Sequence, residues 1–389
     1  MQNQRYPVQY GLFMMAYYMT NAIYQGYMSL YYTSAGFNSA QMGAIFAVVA
    51  LVSVFSQPLW GTLGDRVASR NRLLRMLAAA SSLLALSFLT TRGFVPLLLL
   101  GGAFSCFYTS IQPMGDSIIL AALDRRGAPF GPVRMSGGLM FALTSLIFGG
   151  ILNARGHETL AVWFTAGLCM LIVPATLALP DTPGYQSATG NRMSFGALFR
   201  NRTLMKLMLF MLPVQITMGY FYTFFSPLFV GFPGGSSSLL GWCYFISALS
   251  EVPYLLLSDR LFDRFGAGKL MCVSALALTL RWLLVATAKS VPVLMLSQVL
   301  HGWGFIVMTV SLSKYINVVV PGELKASGQM LLAVVSFGIA RVIGNFGGGL
   351  LADAIGMQKV FFVSAGICVV TSLIFAPYYI RRAPMNGES

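Results

Sequence analysis

Seven ionisable residues stand inside long apolar runs of this chain: Asp116, Arg134, Glu251, Arg281, His301, Lys314 and Arg341. A charge at the centre of a bilayer costs about 2.5–3.5 kcal/mol on insertion scales, so such a residue faces a protein interior or a watered cavity and usually works there. The chemistry open to them differs by type. A carboxyl carries a proton, an imidazole exchanges one near neutral pH, and a guanidinium offers a planar fork of donors to a hydroxyl or carboxylate. Glu251 lies in the middle of its run, with Tyr244 and Phe245 in the two turns before it. It is the first choice for proton coupling or substrate binding, and the plainer alternative is a fixed partner for Arg281 or His301. Arg281 is expected to hold that carboxylate or ease its deprotonation. A lone histidine in an apolar helix is more often a packing residue, so His301 by itself argues little. Lys314, near the inner end of its run, is placed to snorkel. Arg341, in a glycine-rich stretch, is placed to pair across helices. Neither of the last two is assigned a role.

The same inventory argues against an enzyme. The chain has only two histidines, one of them (His157) expected in a connector, and no cluster of nucleophiles, metal ligands or paired acids. A membrane-embedded enzyme acting on lipids would need one. No glycine-rich loop with a following lysine is present to hold ATP phosphates. The five cysteines, Cys106, Cys169, Cys243, Cys272 and Cys368, fall within apolar runs at neither disulfide nor zinc spacing. They read as small packing residues. No metal and no cofactor is expected.

The elements that must position these groups are membrane helices. Of 389 residues, 57% are hydrophobic and 9% charged, with a mean hydropathy of +0.73. A soluble domain carries about 25% charged residues, so most of this exterior must face lipid. A span needs about 20 mostly apolar residues. Twelve runs qualify: 8–33, 38–62, 73–91, 96–121, 134–153, 160–179, 204–230, 238–258, 270–288, 292–318, 326–352 and 359–380. The first of them is long and studded with tyrosine, unlike a cleavable signal peptide. The connectors are short except for a polar segment at 181–203, read as a cytoplasmic linker between an N-terminal bundle (1–180) and a C-terminal bundle (204–389).

Charge placement orients the chain. With the N-terminus inside, the inner connectors and tails hold seventeen Lys and Arg, from Arg5 to Arg382, against four outside: Arg92, Arg155, Lys289 and Lys359. That bias puts both termini in the cytoplasm and is itself a reason to count twelve spans. It also accounts for the net charge of +14 without a nucleic-acid partner. Two acidic–basic stretches sit at corresponding places, Gly61-Thr-Leu-Gly-Asp65-Arg66 after the second run and Asp259-Arg260-Leu-Phe-Asp263-Arg264 after the eighth. Asp65 and Asp263 are separated by about half the chain, as two six-helix repeats would place them.

Gly61 to Arg72 resembles the signature loop of the major facilitator superfamily, and nearly the whole chain resembles its lactose permease (oligosaccharide:proton symporter) branch, with the related phenylpropionate permease and nucleoside:proton symporter-like proteins. The residues carrying this are Phe130-Gly-Pro-Val-Arg134-Met-Ser-Gly137, Ser250-Glu251-Val-Pro253, Arg281 and Leu300-His301-Gly302. The resemblance implies an all-α membrane protein of twelve transmembrane helices in two pseudo-symmetric six-helix bundles. It implies secondary active transport, a proton-coupled symport of a small polar solute (sugar or glycoside, nucleoside, or aromatic acid) by alternating access. The alternative within transporters is a proton-coupled exporter of drugs or amphipathic compounds, which the aromatic residues and 22 methionines would suit.

What the resemblance implies for individual residues is as follows. Asp116 and Arg134 correspond to an acidic–Arg pair that binds substrate, and Phe141 stands where the branch has a stacking tryptophan. Glu251, His301 and Tyr254 (in place of an asparagine) belong to the same expected substrate set. Read from the residues alone, the aromatic and polar Tyr24, Gln112 and Tyr222 are candidates to complete the cavity, the plainer alternative being helix packing or interfacial anchoring. Proton coupling is expected of Glu251, His301, Arg281 and Asp116, and conformational switching of loops containing Gly61, Asp65, Arg66, Asp259, Asp263 and Arg264. The chain departs from the branch where its helix-ten acid is Gly304, its preceding lysine is Gln298, its helix-seven acids are Gly219 and Tyr222, and their helix-eleven lysine falls near Phe337. Lactose-type specificity is therefore not expected, and coupling must fall to Glu251, His301 or Asp116. The proton gradient is the implied energy source, the partners are solute, protons and lipid, and the expected form is a monomer in the inner membrane of a bacterium.

Overall fold

The computed structural model describes residues 7–182, 201–320 and 325–380, and among them it holds helices and no strands. In chain order these are α1 (Tyr10–Ser34), α2 (Ser39–Arg66), α3 (Arg70–Thr90), α4 (Phe94–Asp124), α5 (Gly131–Arg155), α6 (Leu160–Ala178), α7 (Arg202–Val230), α8 (Ser237–Thr287), α9 (Val291–Val318), α10 (Gly328–Ile355) and α11 (Val360–Tyr378). Ten of them, α2 to α11, are long and apolar enough to cross a membrane. Their outward faces carry Phe55, Leu83, Leu99, Leu139, Leu256 and Leu373, each more than half exposed, as a lipid-facing surface requires.

Helix α1 is long enough to span but less apolar, and its burial explains why. Protein surrounds it on nearly every side, from Tyr10 to Tyr32. A helix shielded from lipid can carry tyrosines if their hydroxyls are satisfied. Tyr27 Oη donates to the Ser145 carbonyl at 2.6 Å and Tyr31 Oη to the Phe88 carbonyl at 2.7 Å.

The runs 238–258 and 270–288 belong to two helices that meet at a kink and are labelled together as α8, with one non-helical residue at the kink, Gly266 (φ 70°, ψ 167°). Only glycine adopts that backbone without a steric penalty, so the break is fixed at that position. The intervening Asp259–Phe265 has no helix breaker and stays helical. Likewise Gly61, Asp65 and Arg66 form the last turns of α2 rather than a loop, as Asp259, Asp263 and Arg264 form turns of α8.

The described residues divide into two compact units, one of residues 7–37 and 48–182, the other of 38–47, 201–320 and 325–380. Most of the expected linker, 183–200, lies outside the described residues. In the first unit α1 lies against α5 and α6, and α3 against α4 and α6. In the second, α7 lies against α10 and α11, and α8 against α9 and α11. The opening turns of α2 belong to this second unit. Asp353 accepts hydrogen bonds from the Ser39 and Ala40 amides at 2.8 and 3.1 Å, and a Cβ at Gly43 would stand 2.3 Å from the Asn345 carbonyl oxygen.

Candidate functional site

The ionisable residues gather into one cluster in each unit. In the second unit the cluster is built where α9 changes its winding. Residues Ser297–Leu300 are wound as 3₁₀ helix and Gly302–Ile306 as π-helix, with His301 between them. Such irregular turns leave backbone donors unused, and here the Gly302 amide donates to Ser250 Oγ at 2.9 Å. A Cβ at Gly302 would lie 2.1 Å from the Ser250 carbonyl oxygen and 2.7 Å from Glu251 Cα. The missing side chain therefore lets α9 approach α8 closely enough to set His301 beside Glu251.

Arg281 of α8 is wholly buried. Its Nη1 donates to His301 Nδ1 at 2.8 Å and its Nη2 to Gln298 Oε1 at 2.6 Å, an oxygen that also accepts from Ser247 Oγ at 3.0 Å. The guanidinium carbon lies 4.0 Å from the Phe221 ring centroid, so the cation is held by an aromatic face as well. A guanidinium only donates, so His301 Nδ1 must accept, and the ring is the neutral Nε2–H tautomer. That N–H faces Glu251 Oε1 at 3.5 Å and Tyr222 Oη at 3.4 Å. Glu251 keeps 28% of its side chain accessible. The order is thus an accessible carboxyl, a neutral imidazole and a buried cation. Arg281 was expected to hold the carboxylate or ease its deprotonation; here it bonds His301, whose other nitrogen faces Glu251.

Arg341 of α10 follows a second π-helical stretch, Val334–Ile339, and its guanidinium carbon lies 4.2 Å from the Tyr222 centroid. A Cβ at Gly219 would stand 3.2 Å from Arg341 Cα, and one at Gly344 only 2.2 Å from the Ile216 carbonyl oxygen. Small residues on both helices bring α7 and α10 together and carry Arg341 over Tyr222.

In the first unit, Gln112 of α4 donates to Tyr18 Oη at 3.0 Å and points the same amide at Asp116 Oδ2, 3.5 Å away. Asp116 Oδ1 is buried and has no hydrogen-bond partner. Arg134 of α5 stacks its guanidinium carbon 4.6 Å from the Tyr18 centroid, and Gly137 makes room for that ring, since a Cβ there would lie 2.4 Å from Tyr18 Cδ2. Tyr24 is buried among Phe104 and Tyr108 with its hydroxyl unpartnered. Phe141 is half-buried on α5. Tyr254 is fully buried, and its hydroxyl lies 2.8 Å from Ser311 Oγ.

The acidic–basic stretches form fixed contacts. Arg70, buried, pairs with Asp65 and donates from Nη1 to Ser117 Oγ at 2.9 Å, beside a cavity of about 150 Å³ that Gln57, Gly61 and Met114 also line. Arg66 is exposed at the end of α2, and Arg264 lies 5.2 Å from the Phe265 ring. Lys314 does more than snorkel: it pairs with Asp259 and donates to Ser258 Oγ at 3.1 Å, tying α9 to α8. Among the described residues no group of three or more His, Cys, Asp or Glu could hold a metal ion. Sequence reasoning passed over Tyr18 and the Arg341–Tyr222 pair. The usable signal was the glycine at Gly219 and Gly344, which marks close helix approach.

Comparison with known proteins agrees with this architecture. The chain is 25% identical over 389 residues to the transporter YwbF of Bacillus subtilis (strain 168), covering 99% of this chain and 96% of that one. It is 25% identical to the maltose permease of Geobacillus stearothermophilus, over 91% of this chain and 89% of the permease. The crystal structure of the nucleoside transporter NupG superimposes with a TM-score of 0.79 at 20% identity, over 97% of this chain and 99% of that one. A family model described as the MFS_1 like family matches residues 8–363, so this multi-pass helical membrane protein belongs to that family of transporters and is not an enzyme.

Proposed function

We propose that the chain is a proton-coupled symporter that moves a small polar solute (a sugar or glycoside, a nucleoside or an aromatic acid) through a bacterial inner membrane by alternating access. Twelve spans result when α1 is counted and α8 is divided at Gly266, and the arginine-rich connectors put both termini in the cytoplasm. Residues 1–180 and 204–389 are the two bundles that rock. The observation that carries the reading is the ordered set Glu251, His301, Arg281. Because Arg281 occupies Nδ1, His301 has one site left, and that site already bears its proton. The group free to bind and release a proton is Glu251, and His301 senses its charge through Nε2–H. Protonation of Glu251 then selects which side of the carrier is open, and solute bound near it shifts the same equilibrium. Asp116 and Arg134 are the solute contacts that the resemblance implies in the first unit, and Asp116 Oδ1 has no hydrogen-bond partner among the described residues.

The test is proton uptake by membrane vesicles on addition of solute. Wild type alkalinises the external medium and accumulates solute against a gradient. Glu251→Gln keeps the hydrogen-bonding shape without the titration, so uphill accumulation is lost while exchange of internal for external solute persists. A Glu251→Gln protein that still concentrates solute removes Glu251 from the coupling role.

A further inference from the structure

The geometry points to Arg341 as an anion-binding residue that takes the carboxylate of an aromatic acid, an assignment that rests on the solute-transport reading above and narrows its substrate class. The two arginines of the second unit differ in what their donors do. Arg281 spends two N–H groups on His301 and Gln298 and is sealed from solvent. Arg341 stays partly accessible, makes no hydrogen bond and is in no ion pair among the described residues. Its guanidinium carbon lies 4.2 Å from the Tyr222 ring centroid. A guanidinium lying on an aromatic face directs its N–H groups outward in its own plane, where they match both oxygens of a carboxylate.

The free donors select the ligand. Arg341 is in no ion pair among the described residues. A carboxylate meets such a guanidinium with two oxygens and a full charge, whereas a sugar or an uncharged nucleoside offers hydrogen bonds alone.

The surroundings describe the rest of the solute. Phe337, 45% exposed, lies one turn before Arg341, and its ring is 6.4 Å from that of Phe305. Phe305 is in turn 5.9 Å from Tyr222 and 5.7 Å from His301. These rings form an aromatic corner beside the guanidinium, with flat faces and one polar edge at Tyr222 Oη. A ring carrying a short acid chain fits that pairing of an apolar wall and a single cation.

Purified full-length protein and three probes test this by thermal shift: 3-phenylpropionate, its uncharged amide, and uridine. The acid raises the melting temperature of the wild type and the amide does not. Arg341→Gln binds the acid roughly 10- to 100-fold more weakly, the loss of one charge-assisted contact. Arg341→Lys, which keeps the charge without the fork, retains the acid-over-amide preference at reduced affinity. If Arg341→Gln does not fold, the wild-type preference and its survival in Arg341→Lys decide the question. The assignment is overturned if the acid fails to stabilise the wild type, if the amide matches it, or if Arg341→Gln binds it unchanged. Uridine that stabilises the wild type and drives proton uptake, while the acid does neither, would leave symport standing and remove the anion site.

Discussion

Replacing Gly344 by alanine tests whether close contact of α7 and α10 is what places Arg341. The new Cβ would lie 2.2 Å from the Ile216 carbonyl oxygen, 3.1 Å from the Tyr220 amide nitrogen and 3.2 Å from Gly219 Cα. All three are backbone atoms, so no side chain can rotate away. Restoring ordinary contact requires the helices to part by about 1 Å, and overpacking of this kind costs about 1–3 kcal/mol. Against that stands a gain of about 0.8–1 kcal/mol from replacing glycine inside a helix. The balance is a net loss of up to about 2 kcal/mol. Gly347, one turn on, supplies the control. A Cβ there meets nothing within 4 Å, so Gly347→Ala keeps the propensity gain with no clash and melts at or above wild type. The assay is thermal unfolding of both variants in the same detergent. Gly344→Ala melting as high as Gly347→Ala would refute the close-approach argument, and with it the account of how Arg341 is held over Tyr222.

The remaining expectations concern the two buried arginines. Arg281→Lys keeps the charge but offers a compact ammonium where two acceptors stand at fixed positions, Gln298 Oε1 and His301 Nδ1. Holding one releases the other, so uphill accumulation falls about tenfold or more while the purified protein stays folded; undiminished accumulation would show that the fork is not needed. Arg70→Ala and Asp65→Asn should separate by stability. Asp65 keeps 53% of its side chain exposed, so its half of the pair contributes about 0–1 kcal/mol, whereas Arg70 is buried and also bonds Ser117. Arg70→Ala melting no lower than Asp65→Asn would contradict that division.

Much of this was legible in the sequence because the bilayer imposes so few options. Apolar runs of about 20 residues had to be helices, since only a helix satisfies its own backbone in hydrocarbon. The rare charges within them had to cluster. What was not legible arose from single atoms. The tautomer of His301 depends on which nitrogen meets Arg281, and no spacing encodes that. The replacement of a lysine by Gln298 looked like a loss in the sequence, yet its side-chain carbonyl accepts a hydrogen bond from Arg281. The acidic–basic stretches read as loops because charge clusters usually mark connectors. Here the charged side chains project from helical turns, and the chain bends only past them, at residues 67–69 after the first stretch and at Gly266 after the second.

If the proposed symport holds, the two arginines of the second unit would let the proton and the solute occupy separate sites. Arg281 is neutralised by nothing acidic; its charge is spread into a ring face, an imidazole lone pair and an amide oxygen, all of them fixed. Tyr222 joins the variable parts, with its hydroxyl 3.4 Å from His301 Nε2 and its ring beneath Arg341. A change of charge on Glu251 reorganises the hydrogen bond from His301, which Tyr222 shares, and any anion on Arg341 presses on the same tyrosine from its other face. Coupling of this form requires no shared ligand, only one side chain with two neighbours, and it is strongest when each neighbour has no other partner to turn to.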